Sequence, residues 1–152
     1  MFLYKTIATF FGIGYIGKGS GTVAAFVVCL FIYACITYNI YSNDAALVVS
    51  LLIFIIGALS ATQVEKIWEK DSKRIVIDEV FGMLVSLLFL RITLVTIVIA
   101  FVLFRFFDIY KPLGIKKAEL LPDGWGVMAD DLLAGIYANI VLQILCIFIF
   151  KK

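Results

Sequence analysis

Uncharged apolar runs cover residues 23–41, 45–64 and 132–150. Each approaches the ~20 residues that a helix needs to cross the hydrocarbon core of a bilayer, so each predicts a spanning helix. A fourth apolar stretch, 80–104, is split by Arg91. It fits either one helix with a central Arg or a hairpin of two short helices that turns near Arg91. A central Arg in lipid costs at least ~2.5 kcal/mol, which favours the hairpin, or a helix whose Arg91 face is covered by protein. Before the first long run, residues 2–16 carry Lys5 and then an apolar stretch, followed by Gly12, Gly14, Gly17, Gly19 and Gly21. No A-x-A-like cleavage site follows, so the stretch reads as a retained amphipathic or re-entrant helix rather than a signal peptide.

The polar links set the topology. The link 42–44 has no Lys or Arg, whereas 65–78 carries Lys66, Lys70, Lys73 and Arg74, and 105–131 carries Arg105, Lys111, Lys116 and Lys117. The positive-inside rule puts both basic links and the amino-terminal stretch on the cytoplasmic side. Only the hairpin satisfies all three placements; Lys151 and Lys152 fall on the opposite side. The expected fold is all-α, an integral-membrane helical bundle with about four to five membrane-embedded helices. It includes a short helical hairpin at 79–107, plus the amino-terminal amphipathic or re-entrant helix, in one domain over 1–152.

Composition agrees and adds a chemical constraint. The 152 residues are 64% hydrophobic and 16% charged, with a formal net charge of +2, too few polar groups to coat a soluble globule of this size. There is no histidine, so any mechanism needing an imidazole is excluded. Cys29, Cys35 and Cys146 sit in apolar runs without a C-x-x-C pair, and no Arg stands six positions after any of them, which rules out a cysteine-phosphatase loop. No nucleic-acid partner is expected; the bilayer is.

The charged residues that remain gather at helix ends. Asp78 and Glu79 open the first arm of the hairpin, Arg105 and Asp108 close the second, and Asp130 and Asp131 open the last long helix. Under the hairpin topology all three pairs lie on the cytoplasmic side. Carboxylates brought together repel unless a cation or proton intervenes, and hard oxygen ligands suit Mg²⁺ or Mn²⁺. Arg105, Asp108 and Lys111 recur at i, i+3 and share a helix face, and Pro112 ends that helix. Gly82, Ala134 and Gly135, one turn beyond the acids, allow another backbone to come close. Taken singly, each acidic pair also fits a helix N-cap. Gly19-Ser20-Gly21-Thr22, with Lys18 before it, opens the first long helix as a candidate phosphate site, although it lacks the P-loop order. Glu65, Lys66, Glu69, Lys70 and Lys73 read as a solvated helix face, and Trp68 and Trp125 as interfacial anchors.

In order and spacing, four segments resemble the phosphatidylglycerophosphatase A family. They are Gly19-Ser20-Gly21-Thr22; Asp78-Glu79-Val80-Phe81-Gly82; Phe104-Arg105-Phe106-Phe107-Asp108-Ile109-Tyr110-Lys111-Pro112; and Gly126-Val127-Met128-Ala129-Asp130-Asp131-Leu132-Leu133-Ala134-Gly135. The likeness runs from about Gly12 to Gly135. It implies a Mg²⁺-dependent lipid phosphatase of the bacterial cytoplasmic (inner) membrane that converts phosphatidylglycerophosphate to phosphatidylglycerol and inorganic phosphate. It carries the family's acidic positions onto Asp78, Glu79, Asp108, Asp130 and Asp131, as catalytic and metal-holding residues. Its basic positions fall on Arg105 and Lys111, which would bind phosphate with Lys18 and Thr22. The chain departs from the family pattern at Gly17 and Ser20, where prolines are usual, at Ala24-Ala25 for Gly-Ser, and at Gly114 for a second Pro. The expected reaction is metal-assisted attack of water, with a carboxylate taking its proton. The alternatives are a small membrane transporter, or a non-catalytic membrane subunit with a carboxylate cluster. The D-G-x-x-A-R signature of CDP-alcohol phosphotransferases is absent, since Trp125, Gly126 and Val127 follow Asp123-Gly124.

Overall fold

The computed structural model describes residues 1–69 and 72–149 and is all-helical over them. Lys70, Lys151 and Lys152 lie outside the described residues. In chain order the helices are α1 (Phe2–Ala8), α2 (Ser20–Thr37), α3 (Asn43–Glu65), α4 (Ile77–Ser86), α5 (Leu94–Tyr110), α6 (Ile115–Ala118) and α7 (Gly124–Ile149). Among the described residues α2, α3 and α7 are long and apolar enough to cross a membrane, yet their apolar windows are only 39%, 28% and 33% buried within the protein. The large side chains left outside, such as Phe31, Leu51, Val102 and Ile144, form a surface that lipid must cover. The chain is thus a membrane-embedded bundle.

The stretch after Ser86 resolves the question of Arg91. α4 stops at Ser86, α5 starts at Leu94, and the two run antiparallel as a hairpin, so Arg91 stands exposed in their link. That link meets the α2–α3 link at the far end of the bundle. Leu90 and Ile92 line a cavity with Asn39, Tyr41 and Asn43, and the Phe89 N–H donates to Asn43 Oδ1 at 2.9 Å. Arg91 therefore escapes mid-bilayer. α5 opens with a capping box between Thr93 and Thr96, a strong local start signal.

At ten residues, or about 15 Å, α4 is too short to cross by itself, and all of it except Glu79 is buried. A helix that ends inside the apolar region leaves its last carbonyls without water. Asn139 of α7 resolves this: its Nδ2 amide group lies 3.4, 3.1 and 2.9 Å from the carbonyl oxygens of Val85, Ser86 and Leu88. Gln143 in turn donates to Asn139 Oδ1 at 2.6 Å. α4 meets α7 where both lack a side chain: a Cβ on Gly135 would sit 2.5 Å from the Gly82 carbonyl oxygen.

Two boundaries differ from the sequence reading. The amino-terminal segment is not one helix over 2–16. It breaks after Ala8, passes through left-handed backbone at Phe10, Phe11 and Gly12, and resumes as a 3-10 turn at Ile13–Ile16. The last helix begins at Gly124, well before the acids, because the Gly124 N–H donates to Thr62 Oγ1 of α3 at 3.2 Å. A Cβ on Gly124 would meet the Ala58 carbonyl oxygen at 2.5 Å. In addition, α3 ends at Glu65, so Lys66, Glu69 and Lys73 do not form the helix face their spacing suggests.

Candidate functional site

One end of the bundle collects the start of α2, the segment after α3, the start of α4, the end of α5 and the first turns of α7. Together they line a cleft of about 580 Å³ that contains Asp78, Glu79, Arg105, Asp108, Lys111, Asp130 and Asp131. The N-cap reading of the acids fails. α4 is preceded by Val76 with no side-chain cap, and Asp130 and Asp131 stand in the second turn of α7. Being inside helices rather than at their caps, these acids project into the cleft.

The carboxylates divide into two sets. Asp78, Glu79 and Asp131 each bring one oxygen to a common point, with the three atoms within 4.8 Å of one another. Asp78 and Asp131 are buried, and Glu79 Oε2 and Asp131 Oδ2 are buried oxygens with no hydrogen-bond partner. Asp108 and Asp130 are instead held by bases. Arg105 pairs with Asp108 and lies 3.8 Å from Glu79. Lys111 bridges Asp130 and Glu119, and Asp130 Oδ1 also accepts the Asp131 N–H at 3.0 Å. Burial lowers the affinity of the Lys111 amine for its proton, but the hydrogen bonds to Asp130 and Glu119, reinforced by their charges, carry its pKa above the usual lysine range. The side chain reaches both acids because Lys111 ends α5 in left-handed backbone, with φ 45° and ψ 49°.

Glycine makes room for the acids. Gly21, at the start of α2, lies so close to Glu79 that a Cβ there would fall 1.8 Å from Oε1; Gly82 would meet the Phe104 ring at 2.5 Å and the Asp131 carbonyl oxygen at 2.8 Å. Of the other phosphate-binding candidates, Lys18 is exposed and lines the mouth of the cleft, whereas Thr22 is exposed and lies off its lining. Two residues that sequence reasoning passed over belong here. Lys73, assigned above to a solvated face, lines the cleft; Ser20 Oγ donates to its carbonyl oxygen at 3.1 Å. Glu119 completes the bridge through Lys111. Neither bears a local signal, because both are placed by contacts between distant segments.

Trp68 is half-buried, flanked by the Lys5 and Arg74 cations at 5.8 and 5.6 Å from its ring centroid, with Tyr15 edge-on at 6.2 Å. Trp125 packs edge-on to Phe54. Both stand at the cleft end, where an amphipathic ring suits a membrane boundary.

The arrangement therefore offers three clustered carboxylates, those of Asp78 and Asp131 buried and that of Glu79 partly so, able to hold a hard divalent cation and ringed by two ion-paired bases. Comparison with known proteins gives the family. The family described as phosphatidylglycerophosphatase A matches residues 6–146. A Bacteroides thetaiotaomicron protein provisionally named phosphatidylinositol-3-phosphatase is 35% identical over 149 residues, covering 94% of this chain and 93% of that protein. A Haemophilus influenzae protein named phosphatidylglycerophosphatase A is 34% identical over 139 residues, covering 90% of this chain and 84% of that protein. No solved structure matches.

Proposed function

Because the chain belongs to the phosphatidylglycerophosphatase A family, we propose that it hydrolyses phosphatidylglycerophosphate to phosphatidylglycerol and inorganic phosphate in glycerophospholipid synthesis, using the cleft at the α4–α5–α7 end of the bundle. The observation that carries this reading is the meeting of Asp78, Glu79 and Asp131 at one point of that cleft. Three carboxylates so close, two of them buried, call for a compensating cation. An all-oxygen donor set favours Mg²⁺, and the unpartnered Glu79 and Asp131 oxygens are free to ligate it. When bound, such an ion supplies positive charge to the phosphoryl oxygens and lowers the pKa of a water at the site.

The protein's own groups do the rest. Arg105 and Lys111 bring positive charge to the cleft and hold Asp108 and Asp130 in place. A carboxylate of the cluster accepts the proton of the attacking water, as Asp and Glu can without histidine. The water oxygen bonds to phosphorus as the bond from the terminal phosphate to the glycerol oxygen breaks, that oxygen takes up a proton from the carboxylic acid so formed, and the acyl chains stay in lipid throughout. The cleft faces the cytoplasm of a bacterial cytoplasmic membrane, since its end gathers Lys18, Lys73, Arg74, Lys116 and Lys117, while the far end carries Arg91.

The test is phosphate release from phosphatidylglycerophosphate by the purified protein in mixed micelles, with and without Mg²⁺. Release should require the ion, and Asp131→Asn should lower it by at least about a hundredfold. No release with Mg²⁺, or undiminished release from the variant, overturns the proposal. The Bacteroides relative's name favours a second substrate, phosphatidylinositol 3-phosphate; side-by-side turnover of the two lipids decides between them.

A further inference from the structure

The cations of the cleft differ in what they face. Arg105 is committed to Asp108 and Glu79, and Lys111 to Asp130 and Glu119. Lys18 and Lys73 line the same cleft, are exposed, and make no ion pair with a described residue. They come from different segments, one before α2 and one before α4, and Ser20 ties the two together through the Lys73 carbonyl. The segment bearing Lys73 is held on its other side as well. The Val76 N–H donates to the Ala8 carbonyl at 2.9 Å, and Gly14 lies so near the Arg74 carbonyl oxygen that a Cβ would fall 1.9 Å from it. The backbone under Lys73 is thus fixed, and the cleft is acidic in its depth and basic at its mouth.

Resting on the reading that this cleft hydrolyses phosphatidylglycerophosphate, we infer that Lys73, with Lys18, binds the bridging phosphodiester of the lipid and makes the enzyme selective for headgroups that carry a second phosphate. The substrate has two anionic groups, a terminal monoester and a diester joined to diacylglycerol. The monoester must reach the buried acids. The diester, tied to chains that remain in the bilayer, then lies toward the mouth, where the Lys18 and Lys73 ammonium groups stand. Lys73 is a positioning residue in this scheme: it holds the substrate without touching the reacting bond.

The two reaction products separate the two subsites, since phosphatidylglycerol carries only the diester and inorganic phosphate only the other group. Inhibition by each is measured in non-ionic mixed micelles of constant lipid fraction, alongside turnover of phosphatidylglycerophosphate. Lys73→Ala should raise the inhibition constant of phosphatidylglycerol and the KM of the substrate about three- to tenfold, with kcat within about twofold and phosphate inhibition unchanged. Lys73→Arg should recover most of the loss, Lys18→Ala combined with Lys73→Ala should deepen it, and Lys116→Ala, an exposed lysine off the cleft, should do nothing. A KM unaffected by Lys73→Ala, equal weakening of both products, an equal effect of Lys116→Ala, or a wild-type enzyme indifferent to phosphatidylglycerol each overturns the inference and leaves the proposed reaction standing. A wild-type protein that releases no phosphate from the lipid removes both.

Discussion

Gly21 and Lys111 show how single positions set the chemistry. With hydrogen as its side chain, Gly21 lets the Glu79 carboxylate lie against the start of α2. Gly21→Ala should displace that carboxylate and lower kcat by about tenfold or more, with little change in thermal midpoint; an unchanged kcat would mean that Glu79 has room to move aside harmlessly. Lys111 works by charge. Its folded pKa lies above the ordinary lysine value, so its stabilising contribution is complete below about pH 10.4 and fades only as pH rises through the higher folded value. Lys111→Met should therefore lower stability by about 1–3 kcal/mol. The difference in thermal midpoint from wild type should stay constant from about pH 7 to pH 9; a difference shrinking over that interval would show the amine titrating there. Residue types were legible where chemistry demands them: Asp78, Glu79 and Asp131 stand out in a chain this apolar. Their arrangement, with Asp78, Glu79 and Asp131 converging and Arg105 and Lys111 pairing with Glu79, Asp108 and Asp130, was not, because it depends on which bases on α5 reach across to α4 and α7.

At the scale of the element, α4 is the unusual piece, a short buried helix whose start carries the acids and whose end stops inside the bundle. Its position on α7 depends on the Gly82–Gly135 approach. Gly135→Ala must push the helices apart, costing about 1–3 kcal/mol, and because Asp131 lies one turn away it should lower activity more than stability. Activity assays and thermal unfolding of the same preparation distinguish this from general loosening, in which the two would fall together. The other end of α4 depends on Asn139. Asn139→Leu keeps the volume but removes the donor, leaving buried carbonyls unsatisfied at about 1–3 kcal/mol; an unaltered midpoint in micelles would show that another group satisfies them. The hairpin was readable beforehand because an Arg in lipid is costly enough to decide between two topologies. The start of α7 was not. Residues 124–131, with two glycines and two aspartates, look like a loop, and they become helix through the Thr62 contact and the close fit of Gly124 against α3. The break after Ala8 was equally hidden, since nothing apolar or charged marks Phe10 and Phe11 as turn residues.

For the whole molecule, the net charge of +2 conceals a strong polarity, with acids and most bases at one end and apolar helix surface over the rest. The end bearing the cleft should face the cytoplasm. In a background lacking Cys29, Cys35 and Cys146, Lys116→Cys should react with a membrane-impermeant thiol reagent only in inverted vesicles, and Ser42→Cys only in right-side-out ones; the reverse pattern would invert the proposed topology. The Asn139 contact also constrains how the protein is made. α4 emerges from the ribosome before α7, yet its terminal carbonyls and its glycine face have no partner until α7 enters the bilayer. The α4–α5 pair is therefore expected to wait, unsettled, for α7. A nascent chain ending before Gly124 should be cleared by membrane proteases, and co-expression of residues 124–152 as a separate fragment should protect it, so insertion of α7 serves as the checkpoint for assembly of the acidic site.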